Sequence, residues 1–327
     1  MSQSRIPSIL QGLRLPIISA PMFTVSYPEL VLAQCKAGIV GSFPALNARP
    51  PELLDQWLAS IGADLKDYQA QHPTIKVGPL AVNQIVHVSN ARLEQDVRTC
   101  VKHQVPIFIT SLRAPVKEII DAVHSYGGIV LHDVINLRHA EKALEAGVDG
   151  LILVAAGAGG HAGTLSPFAL VGEVRARYQG PIILSGAISS GDAVLASLAM
   201  GADFAYIGTR FIASQEAHAS DQYKEAIVAA QSADIVYTNH FTGVHGNYIK
   251  QSIINAGLDP NALPHGDPQS LAKLSQENKD NPSAKAWKDI WGAGQGVGLI
   301  HSIPTVAQIV DQLESEYQSA KYRLQHA

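Results

Sequence analysis

Cysteine is scarce in this 327-residue chain: there are two, Cys35 and Cys100. Neither belongs to a CxxC pair or a Cys/His ligand spacing, so a disulfide framework and a zinc cluster are excluded as organising devices. Two buried thiols in a reducing compartment are expected. Charge is sparse as well, with Asp, Glu, Lys and Arg making up 16% of residues and a net charge of −4. No basic stretch could track a phosphate backbone, which removes nucleic acid from the expected partners. No apolar run reaches the roughly 18 residues of a membrane span. The opening MSQSRIPSILQGL lacks the apolar core of an export signal. A cytoplasmic protein with no membrane partner is expected.

Apolar residues are plentiful, at 46% of the chain, which suits a well-buried globular enzyme and excludes disorder. They fall into strand-like runs that alternate with helical stretches. Strands are expected at 15–22, 38–43, 75–83, 105–112, 128–134, 150–156, 181–188 and 204–211. Helices are expected at 28–37, 50–65, 90–103, 115–127, 136–147, 166–178, 190–201 and about 220–231. Pro28 suits a first helical turn, Asn90 and Asn136 suit caps, and Gly147 suits a stop.

Eight β/α units in succession, with continuously apolar strands, point to an α/β fold of the TIM (β/α)8 barrel type. A doubly wound sheet is the competing architecture, but the opening strand carries no GxGxxG. The barrel is expected over residues 1–231. Residues 232–327 read as a C-terminal extension that caps it without folding independently. The extension begins with polar, glycine-spaced IVYTNHFTGVHGNYIKQSI. A stretch at 259–286, rich in Asp, Asn, Pro and Ser, is expected to be loop or irregular helix. The glycine loop WGAGQGVGLI (291–300) and a helix over about 305–325 complete it.

In such a barrel, chemistry collects at the C-terminal ends of the strands. Residues expected there include Ala20, Pro21, Met22, Asn83, His132, Asp133, Ser185, Gly186, Ala187, Gly208 and Thr209. Few are charged, which disfavours a metal-dependent hydrolase and predicts no metal site. A large, flat, partly apolar ligand held by backbone groups is favoured instead. In ILVAAGAGGHAG (152–163) a buried strand runs into a turn whose Gly159 and Gly160 let backbone come close to such a ligand. That turn sets His161 at the mouth, where a proton-transfer group is useful. The turns LSGAISSGDA (184–193) and YIGTRF (206–211) could converge backbone N–H groups on a phosphate. His72, His124, His139 and His218 are expected to be solvated and His132 to be a core histidine. His240 and His245 fall in the extension, where a lid contact stays open.

The segment AGAGGHAG (156–163) resembles the xEAGGHxG motif of the nitronate monooxygenase family, formerly called 2-nitropropane dioxygenases. PIISAPM (16–22), VGPLAVN (77–83), LSGAISSGDAVLASLAMGADFAYIGTRFIAS (184–214) and AGQGVGLI (293–300) are similar to further family segments. The resemblance covers nearly the whole chain and implies an FMN-dependent barrel oxidoreductase. It places Ala20, Pro21 and Met22 along the flavin ring, Asn83 in a hydrogen bond to it, and Gly159 and Gly160 against it. It places Ser185, Gly186, Ala187, Gly208 and Thr209 at the phosphate, Gln295 in the closing loop, and His161 as catalytic base. The implied reaction oxidises an alkyl nitronate, such as propionate 3-nitronate, with O2 to a carbonyl compound and nitrite. Partners are then a small nitroalkane or nitronate and O2, with a homodimer left open. Two alternatives remain: an NAD(P)H-dependent FMN reductase acting on quinones or an enoyl thioester, and a non-enzymatic binding protein on the same barrel. The chain departs from the family pattern at Val154-Ala155, where Gln-Gly is usual, at Gly157, where Glu is usual, and at Ala187, where a second glycine is usual.

Overall fold

The computed structural model describes residues 5–266 and 289–326. The strands, in chain order, are β1 Ile17–Ser19, β2 Gly41–Pro44, β3 Leu80–Val86, β4 Ile107–Leu112, β5 Ile129–Val134, β6 Gly150–Val154, β7 Gly160–His161, β8 Ile182–Ser185, β9 Phe204–Ile207, β10 Ile235–Thr238 and β11 Gly246–Ile249. Eight of them form one sheet in the order β1-β9-β8-β6-β5-β4-β3-β2 with every pairing parallel. A parallel bridge between Ile18 and Val40 joins its two edges, so the sheet closes into a TIM barrel. The other three strands form a small antiparallel sheet, β10-β11-β7.

The helices around the barrel are α1 Pro28–Lys36, α2 Leu53–Gln71, α3 Leu93–Lys102, α4 Lys117–His124, α5 Leu137–Ala146, α6 Pro167–Arg175, α7 Gly191–Ala199, the short α8 Thr209–Ile212 and α9 Asp221–Ala229. α10 Lys250–Asn255 and α11 Val306–Gln325 follow in the C-terminal part. Local chemistry explains several boundaries. Asn136 accepts from the His139 N–H and caps α5, and Gly147 ends it in the left-handed region at φ 97°. Thr305 and Gln308 form a reciprocal capping box at the start of α11.

Several boundaries differ from the sequence expectation, among them that of β3, expected over 75–83 and found at Leu80–Val86. Asn90 does not cap α3: its Nδ2 donates to the Ile85 carbonyl, and the position before the helix is held by Arg92. α2 runs to Gln71 because nothing breaks it until His72, which is pushed out of helical geometry by the following Pro73. The expected strand 204–211 ends at Ile207, where the Phe211 N–H bonds to the Gly208 carbonyl and starts α8. The expected irregular stretch at 259–286 lies, from residue 267 onward, outside the described residues.

The core has two parts. One lies between strands and helices and includes Ile17, Phe43, Val82, Phe108, Leu151, Leu184 and Ile207. The other fills the barrel: Ile18, Val40, Ala81, Ile107, Ile109, Ile129, Leu131, Ile152, Ile183 and Phe204. Strand residues two apart share a face. The next inward layer above this apolar plug is therefore Ala20, Asn83, Ser111, Asp133, Val154, Ser185 and Tyr206. The barrel is apolar at its centre and turns polar at the mouth.

Candidate active site

Each strand delivers its last inward residue to this mouth, and the loops that follow surround it. Ala20, Pro21 and Met22 follow β1 and are half-buried. Gly208, after β9, backs onto them: a Cβ built there would lie 3.3 Å from Ala20 Cβ and 3.5 Å from Met22 Sδ. Thr209 Oγ1 accepts from the Gly294 N–H at 2.9 Å, tying α8 to the C-terminal loop. A Cβ at Gly159 would sit 2.7 Å from that same Gly294 nitrogen, so only glycine permits the approach. The Gly157 carbonyl accepts from the Gln295 N–H at 2.9 Å and from the Ala187 N–H at 3.3 Å. Three loops distant in sequence thus meet at one carbonyl. Gly159, Ala187 and Gln295 are exposed although the elements beside them are buried, so these loops meet solvent at the barrel mouth.

Gly186 and Ala187 have φ of 139° and 54°. For a residue with a Cβ the left-handed region costs about 1–2 kcal/mol. Strain of this kind is held only where surroundings determine it, and it clusters at ligand sites. The N-terminus of α7 is already served, because the Gly191 N–H donates to Glu316 of α11 at 2.7 Å and Ser190 caps Ala193. At the start of the four-residue α8 the Phe211 N–H is taken by the Gly208 carbonyl at 2.8 Å, which leaves the N–H groups of Thr209 and Arg210 as the turn's first donors. Asn83, on β3, donates through Nδ2 to the Ile109 carbonyl at 3.1 Å and to Ser111 Oγ at 2.7 Å. Its Oδ1 remains as the acceptor it can offer.

His161 sits on β7, a two-residue strand that pairs with β11 through Gly246↔His161 and Asn247↔Gly160. The hairpin β10–β11 pins this loop at further points. Asn247 Nδ2 donates to the Ala158 carbonyl, Ala162 N–H to the His245 carbonyl, and Tyr237 hydroxyl to the Ala162 carbonyl. Nε2 of His161 lies 3.0 Å from Thr242 Oγ1. That hydroxyl spends its proton on the Val244 carbonyl at 2.8 Å. Thr242 Oγ1 thus holds Nε2 of the ring from the cap side. Burial pushes the imidazole down to about 4, so it is neutral at physiological pH.

The other histidines are placed elsewhere. His132 faces away from the mouth, with Nδ1 2.8 Å from Thr110 Oγ1, a satisfied core histidine. His240 lies against the Pro264 carbonyl and Phe241, and His245 stacks on Tyr237. No group of three potential metal ligands occurs among the described residues. Thr242 and Asn247 were not singled out in the sequence. The only trace of them is that both fall in the glycine-spaced segment after residue 232.

The model of the nitronate monooxygenase family matches residues 63–316. The chain belongs to the nitronate monooxygenase family. Its members are oxidoreductases, and this chain is an enzyme of that class. The nitronate monooxygenase of Paraburkholderia phytofirmans is 27% identical over 353 residues, covering 94% of this chain and 93% of that protein. Among solved structures, the nitroalkane oxidase of Streptomyces ansochromogenes superposes with TM-score 0.78 at 23% identity, over 95% of this chain and 98% of that one. FabK from Thermotoga maritima superposes with TM-score 0.76 at 23% identity, over 100% of this chain and 99% of that one. At these identities the two structures establish the barrel fold alone. Nitronate monooxygenases are flavin-dependent in general, which the exposed, glycine-lined mouth can accommodate. Among the described residues no helix is long and apolar enough to cross a membrane.

Proposed function

We propose that the chain is an FMN-dependent nitronate monooxygenase that oxidises alkyl nitronates, propionate 3-nitronate among them, with O2 to a carbonyl compound and nitrite. The observation that carries this reading is a half-buried imidazole, held neutral by its surroundings, beside the glycine-rich loops of the barrel mouth in a member of this family. The residues present fit a flat ring with a phosphate. Glycine at 159 and 208 lets the Ala293–Gly294 loop and the Ala20–Met22 segment pack against the turns, which draws these backbones together around the mouth. Ala187, strained at φ 54°, sits beside them.

In this reading Ala20, Pro21 and Met22 lie along the ring, Gly159 and Gly160 bring backbone to it, and Asn83 Oδ1 accepts from a ring N–H. Ser185, Gly186, Ala187, Gly208 and Thr209 surround the phosphate, and Gln295 lines the cleft from the closing loop. Because Gly191 is engaged by Glu316, the phosphate contacts come from the turn itself and from the start of α8. Bound FMN supplies the redox chemistry with O2, and the protein supplies orientation and exclusion of water. His161 removes the acidic carbon-bound proton of a neutral nitroalkane, while Thr242 holds the ring through Nε2. The segment beyond residue 231 acts as the cap that positions His161, not as an independent domain.

Purified protein is expected to be yellow, with flavin absorption bands, and to consume oxygen on addition of propionate 3-nitronate. Protein that stays colourless after incubation with FMN contradicts the reading.

A further inference from the structure

Two buried polar atoms at the barrel mouth have no protein partner: Asp133 Oδ1 and the Tyr206 hydroxyl. Both belong to the top inward layer. Asp133 follows Ile129 and Leu131 on the inner face of β5, and Tyr206 follows Phe204 on the inner face of β9. The second carboxyl oxygen is fixed, since Ser111 Oγ donates to Asp133 Oδ2 at 2.7 Å. Ser111 Oγ in turn accepts from Asn83 Nδ2 at 2.7 Å. This chain has a direction. Asn83 and Ser111 hand donors toward Oδ2, so a proton on the carboxyl sits on Oδ1, the atom without a partner.

Among the described residues no cation stands near enough to hold the group ionised. Burial pushes the Asp133 carboxyl up to about 7, with only the Ser111 bond pulling it down. From β4 it faces Ser111, from β3 Asn83, and from β6 the apolar Val154. Tyr206 on β9 is the titratable group in the layer, its phenol held well above the usual range by burial and by Asp133. His132, next along β5, is bonded to Thr110 on the opposite face.

We propose that Asp133 and Tyr206 form a two-donor site for an accepting oxygen that gains negative charge in the reaction, supplied by the cofactor's ring carbonyl or by the substrate's nitro group. The inference rests on the reading of the mouth as the cofactor and substrate site. Below about pH 7 the buried carboxyl is protonated and donates as a phenol does. Donors fixed in advance stabilise developing charge with no reorganisation. The site complements His161: one group withdraws a proton and the other two receive the charge left behind.

Infrared difference spectra of the full chain test this through the carbonyl stretch of a protonated carboxyl, assigned by its loss in Asp133→Asn. The FMN-free protein is expected to show the band at pH 6 and to lose it as pH rises through about 7. A shift on loading FMN identifies a ring oxygen. A shift only when nitroethane is added, without oxygen, identifies a nitro oxygen. Absence of the band at pH 6, or a band moved by neither compound, overturns the proposal. Visible absorption reports the cofactor reading separately: protein that binds no flavin, yet shifts its band with nitroethane, keeps the two-donor site and loses the cofactor. Tyr206→Phe is expected to weaken binding of whichever compound moves the band by roughly tenfold, the worth of one ordinary hydrogen bond. Asp133→Asn keeps an N–H donor and is expected to weaken it less than Asp133→Leu does.

Discussion

His161 depends on its surroundings for its state. An exposed histidine titrates near 6.5, and burial lowers this one to about 4. The direction sets two consequences. Between those values the unfolded chain binds a proton that the folded one refuses, so folding stability rises with pH across that window and is lost on acidification. For catalysis the neutral ring is the working form. With a neutral nitroalkane, kcat/KM is expected to climb through about pH 4 as His161 loses its proton and to fall again as pH rises through about 7, where Asp133 ionises. A rise centred near 6.5 would show a solvated ring and contradict the enclosed geometry. His161 was legible in the sequence because glycines flank it on a strand-to-turn junction. Its partner Thr242 was not, because the contact joins residues 81 apart in sequence and no local pattern reports it. The same holds for Asp133, which stood among the strand-end residues while the missing partner of its Oδ1 depends on what faces it across the barrel.

The small sheet β10-β11-β7 does for His161 what the barrel strands do for the rest of the site. Only two residues of β7 take part, so the pairing relies on close backbone approach at Gly246, where a Cβ would lie 2.7 Å from the Gly160 carbonyl oxygen. Gly246→Ala is expected to push β11 off β7 and lower turnover of a nitroalkane by tenfold or more, while leaving bound flavin near the wild-type level. Equal flavin content and unchanged turnover would show that the hairpin does not position the base. A second close approach joins α7 to α11, where a Cβ at Gly191 would meet the Leu313 carbonyl oxygen and the Tyr317 nitrogen at 2.2 Å. Gly191→Ala overpacks this contact at a cost of about 1–3 kcal/mol. A thermal melt should show a midpoint lower by several degrees. The barrel strands were readable from their apolar runs, and α5 and α11 from their caps. The hairpin was not, because β10 is only partly buried and β11 is short and set among glycines and polar residues, so neither shows a continuous apolar run.

At the level of the molecule, the eight-fold alternation of strand and helix made the TIM barrel legible, since continuous apolar strands demand cover on both faces. The closure itself, a single bridge between Ile18 and Val40, has no signature in the sequence. The barrel is shared with a nitroalkane oxidase and a FabK, so fold does not decide between the proposed monooxygenase and a reductase. Mixing the flavin-loaded protein with NADH and NADPH under anaerobic conditions decides it. Little bleaching is expected; fast, complete bleaching would support a reductase. The central claim is that His161 acts as base beside a flavin, and it is tested most directly by comparing His161→Asn with wild type on nitroethane and on preformed ethylnitronate. The account predicts a loss of about 10²–10⁴-fold in kcat/KM on nitroethane, the usual worth of a general base, and a much smaller loss on the nitronate, whose proton is already gone. Equal losses on both substrates would contradict it.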